Sequence, residues 1–352
     1  MRTREAPLVL AKEERETLDP SGNGSIPAFL SIDVEPDGFQ LPRQNAPAWP
    51  GYGAMFEFAD RLRSRLAERS GTSPGFGWYF RTDPQIAEVY GRPDHVLREF
   101  PERISRLAAN GDYFGVHVHP IRWSERRRSW VHDFADVEWL VHCTSSALDA
   151  YAHWSGAPCQ RSRCGGAGFL TNDIVETLER HGVKVELSLE PVAGWGLTTR
   201  KVATAIDASP MVGAYTDCRM APRVPFRPAR HDFRIADRTG GRDLLMVPVT
   251  TGPPVRPRPV WRRLARRIVL GSAVHEVLFP SVEWPSERFY WDAVARQLES
   301  MNRPYLSLGI RTDSPDSAMM VRVRRLFDEL PQHPLAERLR FLDPLDAIAQ
   351  LV

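Results

Sequence analysis

The chain has 352 residues, 42% hydrophobic and 26% charged, which is enough apolar material for a large core and excludes a disordered protein. Lys and Arg number 46 against 44 Asp and Glu, and the resulting net charge of +2 is too mild to make nucleic acid the main partner. The 30 prolines and 24 glycines are spread along the chain, which excludes a low-complexity architecture.

Residues 1–25 carry only a short apolar run and end at the turn-forming Pro20-Ser21-Gly22-Asn23-Gly24. They read as a flexible lead-in with no signal-peptide core and no membrane span, so a cytoplasmic location is expected. From residue 28 onward, apolar runs alternate with stretches of helical spacing. Strands are expected over 28–34, 75–80, 113–119, 160–164, 183–189, 244–249 and 305–310. Helices are expected over 56–66, 96–109, 135–151, 172–181 (with Gly182 as its stop), 318–330 and 345–351. This alternation implies βαβ units and a mainly parallel sheet, and the number of strands suggests an incomplete α/β barrel. Residues 26–352 then form a single domain. The segment 190–243 fits the alternation poorly, and its prolines and arginines mark it as a loop-rich insertion between barrel strands.

Three polar clusters fall where expected strands end, and in a parallel barrel those ends share one face. The first is Ser31-Ile32-Asp33-Val34-Glu35-Pro36-Asp37. Asp33 and Glu35 are two apart, so an extended strand turns both to one side. Such a pair can bind a cation and accept a proton, or it can simply cap the next turn. The second is Gly115-Val116-His117-Val118-His119-Pro120. Its two imidazoles share a side and suit zinc or a similar metal; hydrogen-bonded barrel histidines are the other reading. One carboxylate with two histidines leaves a coordination position open for water. The third, from Arg161 to Phe169, reads Arg-Ser-Arg-Cys-Gly-Gly-Ala-Gly-Phe. Arg163 there can orient a carboxylate or hold an oxyanion, and the stretch also fits a plain strand-to-helix turn.

Other residues carry weaker signals. Arg81 and Asp83 close an expected strand and are candidates for substrate contact; a salt bridge or a helix N-cap fits them equally. Trp123, just past His119, is a candidate to stack on a sugar ring. Residues 259–270 (PVWRRLARRIVL) form a basic amphipathic helix that fits either peripheral membrane contact or packing on the barrel. Cys143, Cys159, Cys164 and Cys218 match no zinc knuckle or redox pair and read as free thiols.

An acidic strand end, a histidine pair about 80 residues on and an Arg-Gly turn about 45 further resemble the metal-dependent polysaccharide deacetylase family of the NodB type. The resemblance runs over about residues 28–350. It takes in the strand VKVELSLEP at 183–191, the strand at 244–249 leading into Thr250, and a last strand followed by Arg311-Thr312-Asp313. It implies an α/β fold, a distorted (β/α)7 barrel, and a hydrolase that uses a divalent metal, zinc first, to remove N-acetyl groups from a carbohydrate or glycan precursor. By position it implies Asp33 as the general base, Glu35, His117 and His119 as metal ligands, and Arg163 as the brace of the base. Asp37 is the reserve ligand.

Three departures from the family pattern stand out. Val34 replaces the second of two adjacent aspartates, and Ile121 stands where a second histidine is usual. The last strand ends in Arg311 and supplies no histidine to act as general acid. Arginine is not a useful proton donor at neutral pH. Arg311 is therefore a candidate for holding an anionic group of the substrate, with a salt bridge to Asp313 or another rim acid as the other reading. The same residues also fit a hydrolase of another C–N bond, such as a cyclic amide, or a non-catalytic glycan-binding or scaffolding protein.

Overall fold

The computed structural model describes residues 25–44, 46–165, 169–191, 210–213, 216–237, 239, 241–252, 276–281 and 283–352. Residues 1–24, residues 192–209 of the expected insertion and the basic stretch 259–270 lie outside the described residues.

The first strand, β1 (Ile26–Val34), is IPAFLSIDV, with all nine residues buried. Such a run is what a strand covered on both faces requires. It is followed by β2 (Gly77–Arg81) and β3 (Tyr113–Val118). Immediately after β3 come β4 (Ile121–Ser124) and β5 (Ser129–Asp133), an antiparallel hairpin not expected from the sequence. Then follow β6 (Arg161–Cys164), β7 (Val185–Glu186), β8 (Met211–Val212) and β9 (Leu245–Met246). The series ends with β10 (Thr251–Gly252), β11 (Glu276–Val277), β12 (Leu306–Arg311) and β13 (Leu339–Phe341).

The main sheet runs β12-β1-β2-β3-β6-β7-β9, and every one of these pairings is parallel. β13 adds to the start of β1. Past β9 the chain reaches back toward β12: the Thr250 N–H donates to the Ser307 carbonyl at 2.9 Å, and the Ser307 N–H donates to Thr250 Oγ1 at 2.8 Å. The sheet is thus a curled half-barrel of the (β/α)7 type.

Alternation along the strands divides the apolar side chains into two layers. Phe29, Tyr79, Tyr113, Val185, Leu187, Leu245, Val247 and Tyr305 pack together inside the curl, with Ala347 and Leu351 from the C-terminus. The opposite side chains, such as Leu30, Ile32, Trp78, Phe80, Phe114 and Val116, pack outward with the helices. Each such fully buried large side chain contributes ~1.5–3 kcal/mol.

The helices begin and end where local chemistry dictates. Pro50–Ser70 starts with proline in its first turn and stops at Gly71, whose φ of 73° lies in the left-handed region that favours glycine. Val137–Ser155 is capped by Asp136, which accepts from Trp139 N–H at 3.0 Å, and stops at Gly156. Thr171, Ser286 and Ser317 cap Asn172–Arg180, Glu287–Glu299 and Ala318–Glu329 in the same manner.

Two expected helices differ in form. The stretch 96–109 is two helices, His95–Glu99 and Pro101–Ala109, because Pro101 removes a donor and forces Phe100 out of the helical region. The stretch 345–351 is helical only over Ile348–Leu351. The four cysteines are buried and none is in a disulfide. Among the described residues no helix is long and apolar enough to cross a membrane.

Candidate metal centre

The parallel register sets the site. Asp33 lies beside Arg311 on one side and Tyr79 on the other, while His117 lies between Arg81 and Arg163. Asp33, Glu35, His117 and His119 therefore meet at the C-terminal ends of β1 and β3. All four are buried.

Glu35 Oε1 is 3.0 Å from His117 Nε2 and 3.3 Å from His119 Nε2, and the two Nε2 atoms are 2.9 Å apart. His117 Nδ1 is 2.9 Å from the Arg163 carbonyl, which can only accept. That contact fixes His117 as the Nδ1–H tautomer and turns the Nε2 lone pair toward Glu35 and His119. Burial works to raise the Glu35 pKa, but the two histidines outweigh it and hold the carboxyl well below its ordinary value. Burial pushes His119 well down, against the pull of Glu35. Two imidazole Nε2 atoms and an ionised carboxylate thus converge on one point, the donor arrangement that a divalent cation requires. Among the described residues this is the one His/Cys/Asp/Glu group able to hold a metal ion. The donor set fits zinc.

Neighbouring residues fix each member of the group. The Thr312 side chain accepts from the Glu35 N–H at 2.8 Å and donates to the Glu35 carbonyl at 2.7 Å. Asp83 Oδ2 accepts from the His119 N–H at 3.1 Å. Arg163 Nε donates to Asp33 Oδ1 at 2.7 Å, and its Nη1 donates to the Leu187 carbonyl at 2.8 Å. Two glycines make room: a Cβ on Gly165 would overlap the His119 ring, and one on Gly309 would overlap the Arg163 guanidinium.

The remaining sequence candidates occupy different places. Arg81 and Asp83 are fully buried and bonded to each other. Asp83 also caps the helix Pro84–Tyr90 through the Gln85 N–H at 3.2 Å. As placed, Asp83 holds the His119 backbone, and both side chains of the pair are fully buried. Trp123 sits on the β4–β5 hairpin, edge-on to Trp130 at 5.5 Å, with the Arg43 guanidinium over its ring at 5.0 Å. It lines an open cleft with Leu41, Pro42, Arg43 and Gln44. The Arg311 guanidinium lies 5.2 Å from the Phe39 ring, which in turn is 4.8 Å from the His119 ring. Phe39 thus lies between Arg311 and His119.

Sequence reasoning missed His132. β5 pairs it with Ile121, so the hairpin returns it to the site, 5.7 Å from His119 ring to ring and 5.2 Å from Phe39. Burial, with Arg81 nearby, lowers its pKa to about 4, so the ring is neutral at pH 7. Its only sequence signal was a lone histidine in SWVHD, which no spacing rule connects to His119.

No family model matches the chain, and no curated protein matches it in sequence. Solved structures do match in fold. A Parabacteroides distasonis protein assigned as a glycoside hydrolase/deacetylase aligns at TM-score 0.50 and 11% identity, over 90% of this chain and 69% of its own. A Mycobacterium smegmatis protein assigned as a polysaccharide deacetylase aligns at TM-score 0.45 and 11% identity, over 95% and 92%. The Puue allantoinase aligns at TM-score 0.43 and 11% identity, over 97% of both chains. Strand order, curl and site-bearing edge together give this chain the (β/α)7 half-barrel fold of the polysaccharide deacetylases.

Proposed function

We propose that the protein is a zinc-dependent amide hydrolase that removes N-acetyl groups from a carbohydrate or glycan precursor. One observation carries this: Glu35 Oε1, His117 Nε2 and His119 Nε2 converge within 3.3 Å of one another, beside a carboxylate clamped by Arg163. The carbohydrate class is supported by the shared fold with a protein assigned as a glycoside hydrolase/deacetylase.

Glu35, His117 and His119 would hold the ion. When bound, a divalent ion supplies Lewis acidity for the amide carbonyl and lowers the pKa of a water toward ~7. Asp33 accepts the proton of the attacking water. Arg163 engages its Oδ1, which leaves Oδ2 as the acceptor. Phe39 and the neutral His132 wall the pocket beside His119, and Arg311 binds an anionic part of the substrate.

The test is acetate release from N-acetylated oligosaccharides by the zinc-loaded protein. Release should fall at least ~100-fold in Asp33→Asn with zinc content retained, as loss of a general base predicts. Wild-type turnover in Asp33→Asn would overturn the assignment of the base. Absence of acetate release from every N-acetylated sugar tried would overturn the reaction class.

A further inference from the structure

The hydrolysis proposed above needs a proton for the leaving nitrogen, and the last strand supplies no histidine for it. The geometry of β7 points to a different group. Along β7 and the chain beyond β9, the Leu245 N–H donates to the Lys184 carbonyl and the Val247 N–H to the Glu186 carbonyl, each at 2.8 Å. A regular ladder would continue from Val249 to Ser188. Instead the Val249 N–H donates to Leu189, also at 2.8 Å. Three residues on one strand oppose two on the other, which is a β-bulge.

The bulge reverses the alternation of side chains. Before it, Val185 and Leu187 pack inside the curl. After it, Leu189 joins the outer layer with the helices. The next residue, Glu190, therefore turns to the inner, site-bearing side just beyond the Leu187 carbonyl that Arg163 holds. Bulges beside active sites commonly re-aim a side chain in this way.

We propose that Glu190 is the proton donor to the leaving nitrogen, a role that rests on the amide-hydrolase reading above. In that step the C–N bond of the tetrahedral intermediate breaks, its electron pair goes to nitrogen, and nitrogen takes the carboxyl proton of Glu190. The proton that Asp33 removes from water restores the balance, so acetate and the free amine leave and no oxidant or reductant is needed.

The surroundings of Glu190 suit a donor. Burial raises its pKa to about 7, with Asp33 from β1 adding to the rise and Arg163 from β6 opposing it. Cys218, a thiol that burial pushes up to about 12, is also coupled to it. A carboxyl poised near neutral pH is half protonated there and can give up its proton, as a general acid must.

Two measurements test the proposal. The first compares an N-acetyl oligosaccharide with 4-nitrophenyl acetate, whose leaving group departs without a proton. Glu190→Gln should lower kcat on the amide by ~100-fold or more, with a loss on the ester at least ~10-fold smaller. The alkaline limb of the amide pH profile near pH 7 should also disappear. Equal losses on both substrates, or an unchanged amide rate, would overturn the role. The second measurement needs no turnover: the carboxyl stretch of a protonated glutamic acid, followed by infrared difference spectroscopy against pH. Glu186 also titrates near pH 7, so the role is supported by a component near pH 7 that Glu190→Gln removes while the Glu186 component stays. Titration at the ordinary glutamate range refutes it, whatever the activity. A wild type inactive on both substrates, with the Glu190-dependent component near pH 7 present, would count against the amide-hydrolase reading and not against the protonation state of Glu190.

Discussion

Arg163 clamps Asp33 between two strands: its Nε donates to Asp33 Oδ1 at 2.7 Å while its Nη1 donates to the Leu187 carbonyl at 2.8 Å. Both side chains are buried, so the pair is a fixed geometric device and more than a surface ion pair. Lysine keeps the charge but cannot make both bonds. Arg163→Lys is predicted to lower kcat on an N-acetylated sugar by ~10–100-fold with metal content unchanged. Steady-state kinetics with metal analysis checks this, and wild-type kcat in Arg163→Lys would remove the clamp from the mechanism.

Gly309 gives Arg163 its space. A Cβ there would overlap the guanidinium, whereas one at Gly252 meets nothing nearer than 3.4 Å. Gly309→Ala is predicted to cost ~1–3 kcal/mol as overpacking and to displace the clamp. Activity should therefore fall further than the loss of folded protein explains, and Gly252→Ala should change neither. Chemical unfolding paired with kinetics separates the two effects.

Much of this was legible in the sequence. Alternating apolar runs and helical spacing gave the barrel strands, and the two-residue spacing of Asp33 with Glu35 and of His117 with His119 gave their shared side. The hairpin that carries His132 was not legible, because its strands, IRWS and SWVHD, are too short for alternation to mark them and are joined by the charged run Glu125-Arg126-Arg127-Arg128. Glu190 was hidden for another reason. Regular alternation from Val185 would place it away from the lumen, and only the bulge, visible in the hydrogen bonds, turns it inward. The salt bridge and helix N-cap that the sequence also allowed for Arg81 and Asp83 are both present, while their complete burial comes from neighbouring elements that strand-end position does not encode.

Glu186 is a second carboxyl with its own signature. It is fully buried, and its Oε1 accepts from the Ser188 N–H at 2.9 Å and from the Ser188 hydroxyl. Burial raises its pKa to about 7, above the ordinary 4.5. The folded chain therefore holds this proton more tightly than the unfolded chain. Its contribution to stability is full below about pH 4.5 and is lost as pH rises through 7. From pH 5 to 8.5 the loss is roughly 2–3 kcal/mol. Glu186→Gln should flatten that part of the pH dependence in denaturant titrations; an identical slope in wild type and variant would refute the prediction.

The Arg311 guanidinium packs on Phe39, whose ring borders that of His119. Arg311→Ala is predicted to raise KM for an anionic oligosaccharide by ~10-fold or more while changing KM for a neutral analogue little, as loss of one charge-assisted contact predicts. Equal changes for the two substrates would show that Arg311 does not read substrate charge.

The claim on which the chemistry depends is that Glu35, His117 and His119 hold one divalent ion. Calorimetric titration of zinc into metal-stripped protein tests it without any substrate. Wild type should bind one ion per chain, and both Glu35→Gln and His117→Ala should lose that binding while keeping a folded far-ultraviolet spectrum. Absence of saturable zinc binding in wild type, or the same affinity in both variants, would contradict it.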